Sequence, residues 1–367
     1  MKIAQIAPLY ESVPPKLYGG TERVVSYLTE ALHELGHEVT LFASADSETK
    51  AKLVPISPQA LRLGSFTDFF SYHILQLQEV LDRAAQFDIL HFHTDYLHFP
   101  VSRLANLTNV TTLHGRLDLP ELRPLYQKFG DMPLVSISRS QRSPLPMAGW
   151  VDTVYHGLPL DLYQMGEGKG NYVAFIGRIS PEKRVDRAID IAGKAGMNIR
   201  IAAKIDRADR EYFESEIRPL FELPHVEYIG EIGEKEKNDF LGNAAALLFP
   251  IDWPEPFGMV MIESMACGTP VIAYGNGSVP EVIDHGVSGY IVHNREEAIK
   301  ALINIHNLSR EECRQTFEKR FSATEMAKNY VQVYERLVAE KGHIVDLRQH
   351  EYDESQVYIG EPDPKRA

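Results

Sequence analysis

Two glutamates, Glu255 and Glu263, bracket an otherwise almost wholly apolar run, PEPFGMVMIE, at residues 254–263. Pro256 pushes the residue before it out of the helical region, so Glu255 belongs to a loop. Helical geometry can begin at about Phe257 or Gly258, and Gly268 and Pro270 stop it. Glu263 then falls five residues inside, about 7 Å along the axis at about 1.5 Å per residue. The unpaired amides of the first turn lie between the two carboxylates, giving an acceptor, an anion-attracting helix end and a second acceptor. A ligand with hydroxyls at both ends and phosphates in the middle fits this order, and a nucleotide sugar is such a ligand. The same residues also suit a surface helix whose Glu263 faces solvent while Glu255 favours the helix start.

Further cationic and glycine-rich stretches carry related chemistry. In FIGRISPEKRVDRAI (175–189), Arg178 follows an apolar strand and Lys183 stands five positions on, near a helix start. Two cations at a strand's carboxyl end can hold a diphosphate, each charge-assisted hydrogen bond contributing about 1.5–3 kcal/mol. An ion-paired surface accounts for them equally well. YGGTERVV (18–25) sets Gly19 and Gly20 before a helix, where backbone can approach a phosphate closely. It is neither a P-loop nor a GxGxxG fingerprint, and an ordinary glycine turn explains it too.

Composition bounds these options. A chain of 367 residues exceeds what one core usually supports, which predicts two domains. Apolar content of 44% and charged content of 24% are ordinary globular values. A net charge of −13 argues against general nucleic-acid binding, which needs clustered cations, and against a strongly basic membrane-docking face. The two cysteines, Cys267 and Cys313, form neither a CxxC pair nor a metal-spaced cluster. No apolar run approaches the roughly 20 residues that span a bilayer, and the N-terminal MKIAQIAPLY lacks a signal peptide's apolar core. A cytoplasmic, reduced protein is expected, any membrane contact being peripheral, at the inner face.

The elements that must position these residues alternate strand and helix. Strands are predicted at 2–7, 38–43, 88–93, 110–114 and 133–138, with helices at 21–36, capped by Thr21, and 66–86. After the polar interval MGEGKGN (165–171) a second series follows: strands at 172–178, 198–204, 226–230, 246–250, 270–274 and 289–292, and helices near 182–196, 209–222, 234–243 and 258–267. The pattern predicts an α/β protein of two doubly wound units, 1–165 and 166–343, with ligands at the carboxyl ends of the strands and in the cleft between the halves.

Taken together, the E-x7-E pair Glu255/Glu263, the GRxxxxK pair Arg178/Lys183, the Gly19-Gly20 loop, His114 in TLHG and the segment 267–292 resemble the retaining glycosyltransferases of family GT4. The resemblance implies the GT-B fold, two facing Rossmann-like domains with an interdomain active site. It implies that Glu263 accepts from ribose hydroxyls and Glu255 from donor-sugar hydroxyls, while the amides of Phe257, Gly258, Met259 and Val260 approach sugar and phosphate. Arg178 and Lys183 would neutralise the diphosphate, Gly19 and Gly20 would close over it, and His114 would lie beside the reacting sugar. The nucleobase would rest near Gly230 to Gly233. The first domain would take the acceptor and the second the nucleotide-sugar donor, with a tail from about residue 344 packing back on the first.

The activity so implied is transfer of a hexose-type sugar with retention, UDP-sugar first and GDP-sugar next, to a sugar, lipid-linked or small-molecule hydroxyl. No DxD motif is present, so metal independence is expected and no cofactor beyond the donor. The competing readings are a phosphorylase or sugar-nucleotide epimerase on the same fold, and a non-catalytic sugar-nucleotide-binding partner. His91, His93 and His98 in HFHTDYLHF invite a metal site, but alternation puts His91 and His93 on one strand face running into the cleft. Their expected roles are structural, with His93 lining the acceptor side as the alternative; His156 and Cys267 are expected to pack. The outer face of the 66–86 helix is the surface that could meet a lipid-linked acceptor.

Overall fold

The computed structural model describes residues 1–16 and 19–351, the stretch 342–351 by backbone alone. Strands β1 (Lys2–Ile6), β2 (Glu38–Ala43), β3 (Lys52–Pro55), β4 (Ile89–Phe92), β5 (Asn109–Leu113), β6 (Leu134–Ser136) and β7 (Trp150–Thr153) form one sheet, in the order β3-β2-β1-β4-β5-β6-β7. A second sheet comprises β8 (Tyr172–Arg178), β9 (Asn198–Lys204), β10 (Val226–Gly230), β11 (Ala246–Phe249), β12 (Val271–Tyr274) and β13 (Gly289–Val292), ordered β10-β9-β8-β11-β12-β13. Both are parallel throughout, as in Ile3 opposite Val39 and Ile89, or Leu247 opposite Val271 and Ala174. Short, continuously apolar strands are what a sheet covered on both faces requires, and Ile3, Ala4 and Ile6, like Ala246, Leu247 and Leu248, are almost fully buried.

Each sheet reverses its winding once, between β1 and β4 and between β8 and β11, and ligand crevices open beyond the carboxyl ends of strands at such points. The residues just past those ends are His93 after β4, Arg178 at the end of β8 and the 250–258 loop after β11. Arg178 and Glu255, two of the residues singled out from the sequence, therefore lie at strand ends beside these crevices.

Several predicted elements differ. The first helix is Gly20–Glu34, capped at Gly19, so Thr21 lies inside it and is not the cap. The 66–86 helix is α-helical only over Phe69–Arg83, with Asp68 accepting from the amides of Phe70 and Ser71. The 209–222 helix breaks into short pieces, Arg207–Asp209, Arg210–Tyr212, Phe213–Ile217 and Arg218–Glu222, the last holding Pro219, which has no amide to donate. No strand was predicted for β3 or β7, the short edge strands of the first sheet.

The helix Ala323–Glu351 follows the second sheet and returns to the first, lying against Gly20–Glu34. The Tyr334 hydroxyl bonds His91 Nδ1 at 2.7 Å, that of Tyr330 bonds Thr112 Oγ1 at 2.8 Å, and Arg336 pairs with Asp152 at 2.9 Å. The return is thus made by residues from Tyr330 to Lys341, whose ammonium bonds the Asn106 carbonyl; the expectation for the tail from about 344 concerns side chains and residues outside those described. Among the described residues no helix is long and apolar enough to cross a membrane.

Candidate active site

The residues expected to hold the donor come from β8, β10 and the loop after β11. Lys183, in the turn before the helix Val185–Lys194, reaches across 72 positions of sequence to donate to Glu255 Oε2, which also accepts from Trp253 Nε1 at 2.9 Å. The ammonium lies 5.1 Å from the Trp253 ring centre, so its charge is shared between a carboxylate and an aromatic face. The loop is pinned from one side: Ser278 donates its amide to the Glu255 carbonyl at 3.0 Å and its hydroxyl to the Phe257 carbonyl at 2.8 Å. Gly277, at φ +60, lets the two segments touch, since a Cβ there would sit 2.3 Å from the Glu255 amide nitrogen.

Gly258 adopts φ +76 and turns the chain into the helix Met259–Ala266. The helix begins one or two residues later than its sequence suggests. The amides of Phe257, Gly258, Met259 and Val260 precede or open it, and first-turn amides have no carbonyl one turn back. Glu263, on the next turn, is 5% exposed, and its Oε1 accepts from Lys237 Nζ at 2.8 Å. Burial works against the Lys237 charge, but the Glu263 and Glu234 carboxylates outweigh it and raise its pKa. Gly230 closes β10 at φ +80 facing open space, and Gly233 heads the helix Glu234–Gly242, its amide held by Glu236 at 2.7 Å.

Arg178 stands apart from the Lys183–Glu255 pair. Its guanidinium meets Glu182 at 3.0 Å, Asp206 at 3.6 Å and Asp209 at 3.8 Å, so three carboxylates neutralise it where a diphosphate was expected to. Any anion drawn to Arg178 would compete with those acids for the same donors.

Across the cleft, a cavity of about 670 Å³ is lined by Gly19 and Gly20 on one side and His93, Asp95, His114 and Gly115 on another. His114 Nε2 bonds His93 Nδ1 at 2.9 Å, and His93 Nε2 bonds Gln5 Oε1 at 2.8 Å. Burial drives the His114 pKa down to about 3, so the ring is neutral at pH 7 and its Nδ1 has no partner among the described residues. His114 stacks on His156 with ring centres 5.3 Å apart, and His156 meets Phe257 edge-on at 4.9 Å. His114 is thereby packed, through one intervening ring, onto the loop that carries Glu255.

His91, His93 and His98 are all occupied by hydrogen bonds, His98 with Ser102 and Thr111 at 2.7 and 2.8 Å. Among the described residues no group of three or more His, Cys, Asp or Glu is placed to hold a metal. Cys267 is fully buried, its thiol pushed up to about 12 by that burial. A second link joins the domains: Arg23 pairs with Glu234 at 2.8 Å, and Glu234 neighbours Lys237 at 3.7 Å.

Three contributors escaped the sequence reading. Lys237 sits in EKEKND, indistinguishable from a solvated charged face; Trp253 and Asp95 sit beside residues that drew attention first. For Asp95 a signal existed, an acid just past a strand end in a segment considered only for its histidines.

Two family profiles match the chain: "Glycosyltransferase Family 4" over residues 18–144 and "Glycosyl transferases group 1" over 164–324. The chain belongs to the family 4, group 1 glycosyltransferases, and its two facing parallel sheets have the GT-B architecture. It is 31% identical over 169 residues to an uncharacterized 41.2 kDa protein in the cps region of Klebsiella pneumoniae, a match spanning 44% of this chain and 45% of that one. It is 25% identical over 325 residues to a D-inositol 3-phosphate glycosyltransferase of Mycobacterium bovis, spanning 74% of this chain and 68% of the relative. Among solved structures it resembles AviGT4, a glycosyltransferase involved in avilamycin A biosynthesis, with a TM-score of 0.72 at 24% identity, over 92% of this chain and 98% of that one. The Anabaena protein HepE in complex with UDP and glucose gives 0.69 at 18% identity, over 92% and 100%.

Proposed function

We propose that this glycosyltransferase moves a hexose-type sugar from a UDP-sugar to an acceptor hydroxyl with retention of anomeric configuration. The observation that carries the reading is the order along one short segment: Glu255 engaged by Lys183, then the opening turn of the Met259–Ala266 helix, then buried Glu263. Sugar hydroxyls, diphosphate and ribose diol match that order. Supporting it, structures of HepE, which shares the fold, are described with UDP and with UDP-glucose.

In the proposed reaction the acceptor oxygen attacks the anomeric carbon from the side on which the nucleotide departs. The C–O bond to UDP breaks as the new C–O bond forms, and a leaving phosphate oxygen takes the acceptor proton. Lys183, the helix opening and Arg178 stabilise the negative charge that develops on the diphosphate. These fixed charges supply what a divalent cation would otherwise supply, so the proposed enzyme needs no metal. Glu255 orients the sugar, and His114, neutral and buried beside the cleft, abuts it without exchanging a proton near pH 7.

The test is stabilisation by nucleotides, because a ligand that binds only the folded state raises apparent stability with ln(1 + [L]/Kd). UDP and UDP-sugars are expected to raise the melting temperature more than GDP or ADP counterparts, with EDTA leaving the shift unchanged. A preference for another base overturns the donor assignment, and an inverted anomer in the product overturns retention.

A further inference from the structure

We propose that the acceptor-side cavity takes an unphosphorylated sugar ring or polyol, and that Asp95 is the residue that binds and orients its hydroxyls. The proposal rests on the glycosyltransferase reading above and assigns the acceptor class at that same site. Asp95 follows β4 by three positions, at the switch point where the sheet opens, and lines the cavity with His93 and His114. Its backbone is left-handed, φ 51, a region that Asp and Asn enter more readily than other non-glycine residues. Among the described residues no group donates a hydrogen bond or pairs with its carboxylate, and the residue lines the cavity.

The remainder of the lining defines what such a carboxylate can receive. Tyr10, Phe70 and Tyr96 leave 38%, 61% and 42% of their surfaces open, flat apolar faces suited to the C–H faces of a sugar ring. Glu22, from the helix Gly20–Glu34, adds a second acid, its pKa raised by burial. The one arginine or lysine among the described lining residues is Arg62, already committed to Glu11 at 3.6 Å and lying 5.2 Å over the Tyr10 ring. A phosphate ester would bring a dianion beside two acids and one occupied cation, with only the amides that open the Gly20–Glu34 helix in its favour. A hydroxyl donor meets a free acceptor and aromatic walls. The relative named for D-inositol 3-phosphate therefore differs from this chain in acceptor charge.

Titration offers an independent readout. Burial in the concavity raises the Asp95 carboxyl to about 6, while His93 and His114 facing it are held neutral by their own burial. Arg62 and Glu22 face the cavity from the other wall, with His73 from the helix Phe69–Arg83 and the Tyr126 hydroxyl near Asp95. As pH falls through about 6 the carboxylate is protonated, and acceptor binding weakens.

The experiment is saturation-transfer NMR on the full chain saturated with UDP, UDP affinity being measured first by calorimetry. Methyl glucoside, fructose and myo-inositol are each compared with the corresponding monophosphate. The expected result is saturation of at least one neutral compound, stronger than its ester, falling several-fold from pH 7.5 to 5.5. Asp95→Asn, which the left-handed backbone tolerates, should weaken that signal at least tenfold and abolish its pH dependence, with UDP affinity unchanged. Preferential binding of the esters, binding of no neutral compound, or an Asp95→Asn variant with wild-type affinity and pH dependence overturns the proposal. Failure of UDP itself to bind strikes the donor reading instead.

Discussion

Lys237 Nζ stands 2.8 Å from Glu263 Oε1, and both side chains are largely shut away from water, 18% and 7% exposed. Losing one member of a buried pair leaves the other charge uncompensated, which costs about 3–5 kcal/mol when burial is complete. Lys237 retains some exposure, so Lys237→Met is expected to cost on the order of 2–3 kcal/mol, read as a lower urea midpoint at pH 7.5. UDP should still stabilise this variant, because the proposed ribose partner, Glu263, remains. A variant as stable as wild type would show that the pair contributes nothing.

Gly277 is the hinge of contact between the 275–278 turn and the Glu255 loop. A methyl group there would lie 2.3 Å from one backbone atom of Glu255 and 2.4 Å from another, at a φ of +60 that alanine resists. Gly277→Ala is predicted to push the loop aside, lowering both the melting temperature and turnover by at least tenfold in kcat/KM. An active, equally stable variant would mean that the loop position is not critical.

Lys183 and Glu255 are bonded to each other before any donor arrives, yet they should fail differently when removed. In the proposed reading Lys183→Ala deletes a diphosphate partner, and it is expected to weaken UDP about tenfold to a hundredfold, from a charge-assisted bond of about 1.5–3 kcal/mol. In the same reading Glu255 contacts only the sugar, so for Glu255→Ala UDP affinity should stay within about threefold while turnover falls on the order of a hundredfold. Calorimetry with UDP beside initial rates with the donor sugar separates them; equal losses of UDP affinity in both would contradict the division of roles.

Acid sensitivity follows from the buried histidines. His98, stacked on Phe92 with ring centres 3.6 Å apart, has its pKa lowered by burial to about 3, against about 6.5 in an unfolded chain. Because the folded value is the lower one, its stabilising effect is complete above pH 6.5 and is lost as pH falls toward 3. Each such histidine should remove about 1.4 kcal/mol per pH unit in that window. Urea midpoints at pH 7.5, 6.0 and 5.0 should fall for wild type, and less steeply for His98→Gln. Identical slopes would place the acid response elsewhere.

The strands were the most legible part of the sequence. EVTLFA, YVAFIGR, NIRIAAK, VEYIG and GYIV match β2, β8, β9, β10 and β13 end to end, because apolar runs bounded by Gly, Pro or charge leave little choice. KLVP and WVDT were not legible: as edge strands they need bury only one side, and they carry proline and polar residues. The segment 254–263 announced its carboxylates through Pro256 and Gly258, local rules that spacing exposes. Partnerships were hidden, since Lys183 with Glu255 and Lys237 with Glu263 depend on which strand ends the topology brings together. No local pattern tells the acid-encircled Arg178 from a free one, as Asp206 and Asp209 come from the segment that follows β9, the strand beside β8.

The donor clamp itself is tested most directly by titrating UDP into the wild-type chain, Glu263→Ala and Arg178→Ala by calorimetry. Glu263 should hold the ribose and Arg178 the diphosphate, so each variant is predicted to bind UDP at least tenfold more weakly while remaining folded by circular dichroism. Wild-type UDP affinity in both variants would contradict the assignment of this site.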